Sequence, residues 1–284
     1  MAGKELSVQR VSHYRPMTDI TRSAKLQIFQ SAEEIGEHLA NRLLREIEQA
    51  RMVGRPFVLG CPTGRTPRPT YSAIARRLAM EPRDLRHLTI VMMDEYAIET
   101  GARFEHASPD KPWSCHHFAQ REILGPWNEK LPKNLQLSAS NVWFPEAENP
   151  EAYDTRIETA GGIDFFILAS GATDGHVAFN PPGTPRDSHT RVVALSEQTR
   201  RDNLQTFPAF GSIEAVPRHG ISAGIATITA ARDAVMILTG SAKRESLARV
   251  VEADQYDPTW PATVIHEFPT GEILADREAA RTLG

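Results

Sequence analysis

The residues best suited to chemistry fall in four short segments that mix acids, histidine, lysine and glycine. The most specific is GATDGHVAFNPPG (171–183), whose Asp174-Gly175-His176 core puts a carboxylate beside an imidazole on a tight turn. A carboxylate so placed orients a histidine and stabilises its charged form. A lone histidine is usually structural, but one on a glycine-rich loop next to an acid is more often functional. MMDEY (92–96) places two acids directly after an apolar run. A carboxylate there, partly desolvated by neighbours such as Met92 and Tyr96, has a raised pKa and can work as a general base, with Asp94 the candidate. The plainer alternative is that Asp94 and Glu95 cap the following segment or pair with arginines.

The other two segments suit an anion. In PTGRTP (62–67), Gly64 lets the backbone turn tightly and Thr66 stands just ahead of a helix that has Pro67 in its first turn. Free N–H groups at a helix start, with a hydroxyl beside them, can hold a phosphate or a sugar oxygen. Most such turns are only caps. In TGSAKRESL (239–247), Lys243 falls in the first turn of a helix. A lysine there opposes the helix dipole unless an anion compensates, so Lys243 is read as a phosphate ligand. A solvated surface lysine is the alternative, given the neighbours Arg244 and Glu245.

Each segment follows a run that reads as a strand: PFVLG (56–60), LTIVMM (88–93), IDFFILAS (163–170) and AVMILTG (234–240), with EILAD (272–276) as a last strand. Ile35, Leu39, Leu43, Leu44 and Ile47 recur at helical spacing and predict an amphipathic helix before the first of these runs. Strand, glycine turn and helix in succession predict an α/β fold, a doubly wound and mainly parallel sheet with helices on both faces. Ligands of such sheets collect at the carboxyl ends of the strands, where all four segments lie. Residues 1–24 are polar and aperiodic and read as an N-terminal extension, with a single domain over 25–284. Within it, 190–219 is polar, punctuated by Pro208, Gly211 and Pro217, and reads as a lid across the strand ends.

The composition narrows the partners. With 284 residues, 40% apolar and 24% charged, the chain is an ordinary globular sequence, and its net charge of -4 gives no basic field for nucleic acid. No apolar run approaches the roughly 20 residues that span a bilayer, and the start lacks the apolar core of a signal peptide, which predicts a cytoplasmic protein without membrane contact. Cys61 and Cys115 form no disulfide framework or zinc pattern, and His116 and His117, adjacent in sequence, point about 100° apart on a helix. No metal and no cofactor are expected.

In order, CPTGRTP, MDEY, SCHHF, ASGATDGHVAFNPP, TRVVALSEQTRRDN and GSAKRESL resemble the glucosamine-6-phosphate isomerase/deaminase family from about Ile28 to Ala280. That family's pattern runs LPTGxTP, MDEY, SYHSF, GxGxDGHIAFNEP, TRxxxLxxxTRxxN and GSxKAxAL. The related 6-phosphogluconolactonases share the DGH core but carry DER where this chain has DEY. The resemblance implies a Rossmann-like deaminase/lactonase fold and an enzyme of the hydrolase class. Its partner would be a small-molecule sugar phosphate, a hexosamine 6-phosphate that is isomerised from aldose to ketose with loss of ammonia. It implies that Asp94 moves a proton between C1 and C2, that His176 assists ring opening, and that Asp174 orients His176. Gly64 and Thr66 match the substrate loop and Lys243 a phosphate-binding lysine. The family spans monomers to hexamers, so a homo-oligomer with residues 1–24 at its contacts is compatible.

Four departures matter. Pro181 stands where the family has the glutamate of FNEP, and it can neither ionise nor accept a side-chain hydrogen bond. Gln205 stands where the family offers a phosphate-binding arginine, and a neutral amide does not replace a bidentate guanidinium. Arg65 takes the place of a small residue in the PTG loop and is the candidate to restore the lost charge. Val193 replaces a basic residue tied to an allosteric phosphate site in some relatives, so that regulation is not expected. The competing readings are a 6-phosphogluconolactonase-like hydrolase and a sugar-phosphate-binding protein without turnover.

Overall fold

The computed structural model describes residues 24–283, so the extension expected over 1–24 lies, apart from Ala24, outside the described residues. The apolar runs over 57–61, 88–92 and 234–238 become strands buried on both faces. The strands are β1 (Lys25–Phe29), β2 (Phe57–Cys61), β3 (Leu88–Met92), β4 (Asp94–Thr100), β5 (Arg103–His106), β6 (Val142–Trp143), β7 (Phe165–Ala169), β8 (Arg191–Ala194), β9 (His219–Ser222), β10 (Ala234–Leu238) and β11 (Glu272–Asp276). The helices are α1 (Ala32–Met52), α2 (Arg68–Met80), α3 (Cys115–Ala119), α4 (Gly125–Glu129), α5 (Glu151–Thr159), α6 (Glu197–Thr206), α7 (Ile225–Thr229), α8 (Arg244–Glu252) and α9 (Arg277–Ala280).

Seven strands form one sheet in the order β1-β11-β10-β7-β2-β3-β6, and every pairing in it is parallel. Successive residues of a strand face opposite sides, and the core divides accordingly. Leu59, Ile90 and Ile167 pack with Leu39, Leu43, Tyr71 and Ile74 of α1 and α2. Val58, Val91 and Leu168 pack on the other side with Ile157, Ile228, Leu247 and Val250 of α5, α7 and α8. The doubly wound fold read from the sequence is therefore present. Gly60 explains how tightly β2 and its neighbour β7 fit, because a Cβ there would lie 2.4 Å from the Phe166 ring.

The strand order reverses between β2 and β7. From β2 the chain proceeds through α2 to β3 on one side, whereas β7 is flanked by β10 and β11 on the other. Loops leaving β2 and β7 therefore diverge at their carboxyl ends and open a crevice there. A second sheet, β5-β4-β9-β8, is antiparallel. It begins where the parallel sheet ends, since only Met93 separates β3 from β4. Strand periodicity did not mark this sheet in advance. No described helix is long and apolar enough to cross a membrane.

Candidate active site

The crevice holds a cavity into which the ends of four parallel strands deliver their first loop residues. After β2 come Gly64, Arg65 and Thr66, after β3 Asp94, after β7 Ser170 and His176, and after β10 Lys243. Six of the seven side chains and turns singled out from sequence line this one cavity, and the seventh, Asp174, stands directly behind His176. Gly64 has a φ of 94°, the left-handed region that glycine enters without strain. It turns the chain after β2 so that Arg65 and Thr66 face the crevice ahead of α2.

Asp94 is the first residue of β4 and is only 4% exposed. Burial pushes its carboxyl up to about 7. A hydrogen bond from Cys115 opposes that rise, the Glu95 carboxylate adds to it, and the charge of His176 offsets part of it. Cys115 Sγ lies 3.4 Å from Asp94 Oδ1. No arginine or lysine forms an ion pair with Asp94 among the described residues. The two acids of MDEY thus divide between the readings open to them. Glu95, fully buried, accepts from the backbone N–H groups of Tyr96 at 2.7 Å, Cys115 at 3.0 Å and His116 at 3.0 Å, and from His116 Nδ1 at 2.7 Å. It caps α3, and Asp94 is left for the cavity.

Asp174 Oδ1 and His176 Nδ1 are 2.7 Å apart. Burial alone would raise the Asp174 carboxyl, but the hydrogen bonds and charge of His176, helped by Ser196 at 3.4 Å, hold it below its ordinary value. An ionised Asp174 fixes the proton of His176 on Nδ1, which leaves Nε2 as the nitrogen able to exchange a proton. The turn that brings the two together needs its glycines. Gly175 has a φ of 65°, and a Cβ on it would lie 2.5 Å from the Trp260 ring. A Cβ on Gly171 would lie 2.2 Å from Asp174 Oδ1.

Lys243 sits one residue ahead of α8, at its N-cap and at the end of a 3-10 turn over Ser241–Lys243, rather than inside the helix's first turn. Its Nζ donates to the carbonyl of Ser170. Burial pushes the amine below its ordinary value, while the carboxylates of Asp202 and Asp174 favour its charge and Arg65 opposes it. A partly buried ammonium between a strand end and a helix start has the chemistry to hold an anion.

Of α6, sequence reasoning named Gln205 and missed the other residues that reach the cavity. Asp202, Asn203, Gln205 and Thr206 project from it onto the cavity. Gln205 brings its neutral amide where the family has arginine, and Arg65 lines the same cavity. Pro181 does not line it, and its neighbour Asn180 is spent on the loop, donating to the carbonyls of Val177 and Ala223. Asp174, His176 and Asp202 also form a group of metal-ligating side chains whose ligand atoms lie within 4.8 Å of one another. In that group Nδ1 is already committed to Asp174, and the Lys243 ammonium supplies the positive charge that Asp202 faces. His116 is tied to Glu95 and shares no such group with His117 among the described residues.

A family model described as glucosamine-6-phosphate isomerases/6-phosphogluconolactonase matches residues 30–274. The glucosamine-6-phosphate deaminase of Streptomyces avermitilis is 36% identical over 242 residues, covering 82% of this chain and 85% of that protein. That of Beutenbergia cavernae is 35% identical over 226 residues, covering 80% and 81%. Among solved structures, a monomeric glucosamine-6-phosphate deaminase matches with a TM-score of 0.77 at 30% identity, covering 90% of this chain and 99% of that one. A 6-phosphogluconolactonase from Leishmania guyanensis matches with a TM-score of 0.64 at 16% identity over 92% and 99%, a likeness of fold alone. Matched across 30–274 and more than a third identical to relatives over four-fifths of its length, the chain belongs to the glucosamine-6-phosphate isomerase/6-phosphogluconolactonase family.

Proposed function

We propose that this protein deaminates a hexosamine 6-phosphate, glucosamine 6-phosphate in the first instance, to the corresponding ketose 6-phosphate and ammonia. One observation carries the reading: a buried carboxylate poised to titrate at about 7 shares a cavity with an Asp–His pair and a partly buried lysine. A general base works best with a pKa near the operating pH. The Lys243 ammonium, the turn at Gly64–Thr66 and the Arg65 guanidinium would hold the phosphate. His176 Nε2 would take the proton of the C1 hydroxyl and return it to the ring oxygen, so that the ring C–O bond breaks and the aldehyde forms. Asp174 would steady the imidazolium between the two transfers.

Asp94 would then remove the proton from C2 and deliver it to C1. The carbon skeleton keeps its electrons, C1 being reduced as C2 is oxidised; a proton passes from the amine to O1, so that C1 becomes a hydroxymethyl group and the amine an imine at C2. Water adds to that imine and ammonia leaves, so water enters only at this last step. No external oxidant or reductant is needed for the balance. Lactone hydrolysis would use His176 to activate water and would leave Asp94 without a task, which favours the deaminase reading over the hydrolase one. Residues 190–219, with α6 lying over the strand ends, would close on the bound phosphate. The two buried, unpaired cysteines suit the cytoplasm.

The test is release of ammonia and ketose 6-phosphate from glucosamine 6-phosphate by wild type and by Asp94→Asn. Turnover by the wild type that vanishes in the variant is expected. Absence of turnover in both, or an Asp94→Asn enzyme as fast as wild type, would overturn the reading.

A further inference from the structure

The mooring of α3 reaches the base. Three of the four hydrogen bonds to the Glu95 carboxylate come from the first two residues of that helix: the N–H groups of Cys115 and His116 and the His116 ring. Glu95 is the chain neighbour of Asp94, so fastening α3 to Glu95 sets the first residue of the helix against Asp94. That residue is Cys115, fully buried, with its sulfur 3.4 Å from Asp94 Oδ1. Among the described residues it is the only hydrogen-bond donor to either oxygen of Asp94.

Among the described residues, none of the other titratable groups around Asp94 donates to it. Glu95 accepts from α3, and His176 from the loop after β7 is turned to Asp174. The phenols of Tyr71 in α2 and Tyr153 in α5 donate to the carbonyls of Pro62 and Met92. Tyr96 in β4 packs its ring against Trp113, Phe179 and Phe210, and its buried hydroxyl has no hydrogen-bond partner among the described residues. Burial pushes all three phenols and the Cys115 thiol well above their ordinary values, so each keeps its proton while Asp94 titrates.

We propose that Cys115 is a positioning residue for the base: its S–H donates to Asp94 Oδ1, fixing the carboxylate and leaving the other oxygen free for the substrate proton. This rests on the reading of Asp94 as the base. The choice of sulfur has a physical sense. A buried carboxylate with no donor at all stays protonated well above neutrality, whereas a strong donor holds it ionised and too weakly basic. A thiol is a weak donor and lies between the two.

The experiment compares wild type with Cys115→Ala and Cys115→Val, which both remove the donor, and with Cys115→Ser, which keeps one. Cys115→Ala loses volume and Cys115→Val adds it, so a shift common to both separates loss of the donor from a change in packing. Two readouts are taken: the acid limb of kcat for ammonia release, and the titration of the Asp94 carboxyl by 13C NMR, assigned with Asp94→Asn. Both donor-free variants should move the limb and the titration upward by about half a pH unit or more, with KM changed less than kcat at pH 6. Cys115→Ser should stay at or below the wild-type position. Donor-free variants that titrate with wild type, or a Cys115→Ser protein that shifts with them, would overturn the proposal. If the wild type released no ammonia while the carboxyl titrations moved as stated, the deaminase reading would fail and the coupling would stand.

Discussion

Gly171→Ala is a one-methyl test of whether the Asp174–His176 pair does the chemistry. Gly171 follows β7 by two residues, and its N–H donates to the His176 carbonyl at 2.7 Å. The added carbon would stand 2.2 Å from Asp174 Oδ1, 2.3 Å from His176 Nδ1 and 2.7 Å from His176 Cε1. Ordinary contact is about 3.4 Å, so both partners of the hydrogen bond must retreat by roughly 1 Å. Neither can do so by swinging aside alone, because the clash is with the bonded atoms themselves, and Gly175 between them is packed on Trp260. A misplacement of that size costs on the order of 100-fold in rate, about 2.7 kcal/mol of barrier. The overpacking itself should cost about 1–3 kcal/mol of stability. Ammonia release measured alongside thermal unfolding separates the two, since a folded variant at low temperature retains only the catalytic loss. Phosphate affinity at Lys243 should be nearly unchanged. A folded Gly171→Ala enzyme with kcat within threefold of wild type would show that the pair is not needed where it stands.

Two further outcomes follow from the electrostatics. The Asp94 carboxyl, raised by burial to about 7, binds its proton more tightly in the folded protein than in the unfolded chain, where the value is near 4. Its burial penalty is therefore absent below about pH 4, grows as pH rises to 7 and is constant above that. Urea unfolding should find Asp94→Asn more stable than wild type by a few kcal/mol at pH 8 and by little at pH 4; a difference that does not vary with pH would contradict the raised value. At the other end of the cavity, Lys243→Met should weaken affinity for the sugar phosphate by about 10- to 100-fold, the worth of a charge-assisted hydrogen bond. Arg65→Ala should weaken it less, by about threefold, because the guanidinium is exposed. Equal affinity in Arg65→Ala and wild type would remove Arg65 from the phosphate site.

Much of this site could be read from the chain because parallel strands covered on both faces must be continuous apolar runs, and such runs end where ligands bind. PTGRTP, MDEY and ATDGH each follow one of them, and the structure brings their residues to a single crevice. The antiparallel sheet escaped for a physical reason. β5, β8 and β9 have only four residues each, and β4 pairs with β9 across more than a hundred residues of chain, so local pattern carries no trace of the pairing. Asp202, Asn203 and Thr206 of α6 escaped because EQTRRDNLQT buries only Thr199, which leaves its polar residues indistinguishable from those of any solvated helix. Cys115 looked like an idle thiol because its contact with Asp94 depends on Glu95, twenty residues earlier, holding the start of α3.

The passage of the chain from one sheet to the other at Asp94 divides responsibility within the molecule. On the proposed reading, the grip on phosphate would belong to loops rooted in the parallel sheet, on β2 and β10, whereas the base, Asp94, would be the first rung of the small antiparallel sheet, paired opposite Ser222. Substitutions in the hairpin over 94–106 can therefore re-aim the proton-transferring group while the anchoring end stays as it is. A lineage could in this way adjust which carbon of a sugar meets the base, and so change its reaction, without relearning how to hold a phosphorylated ligand.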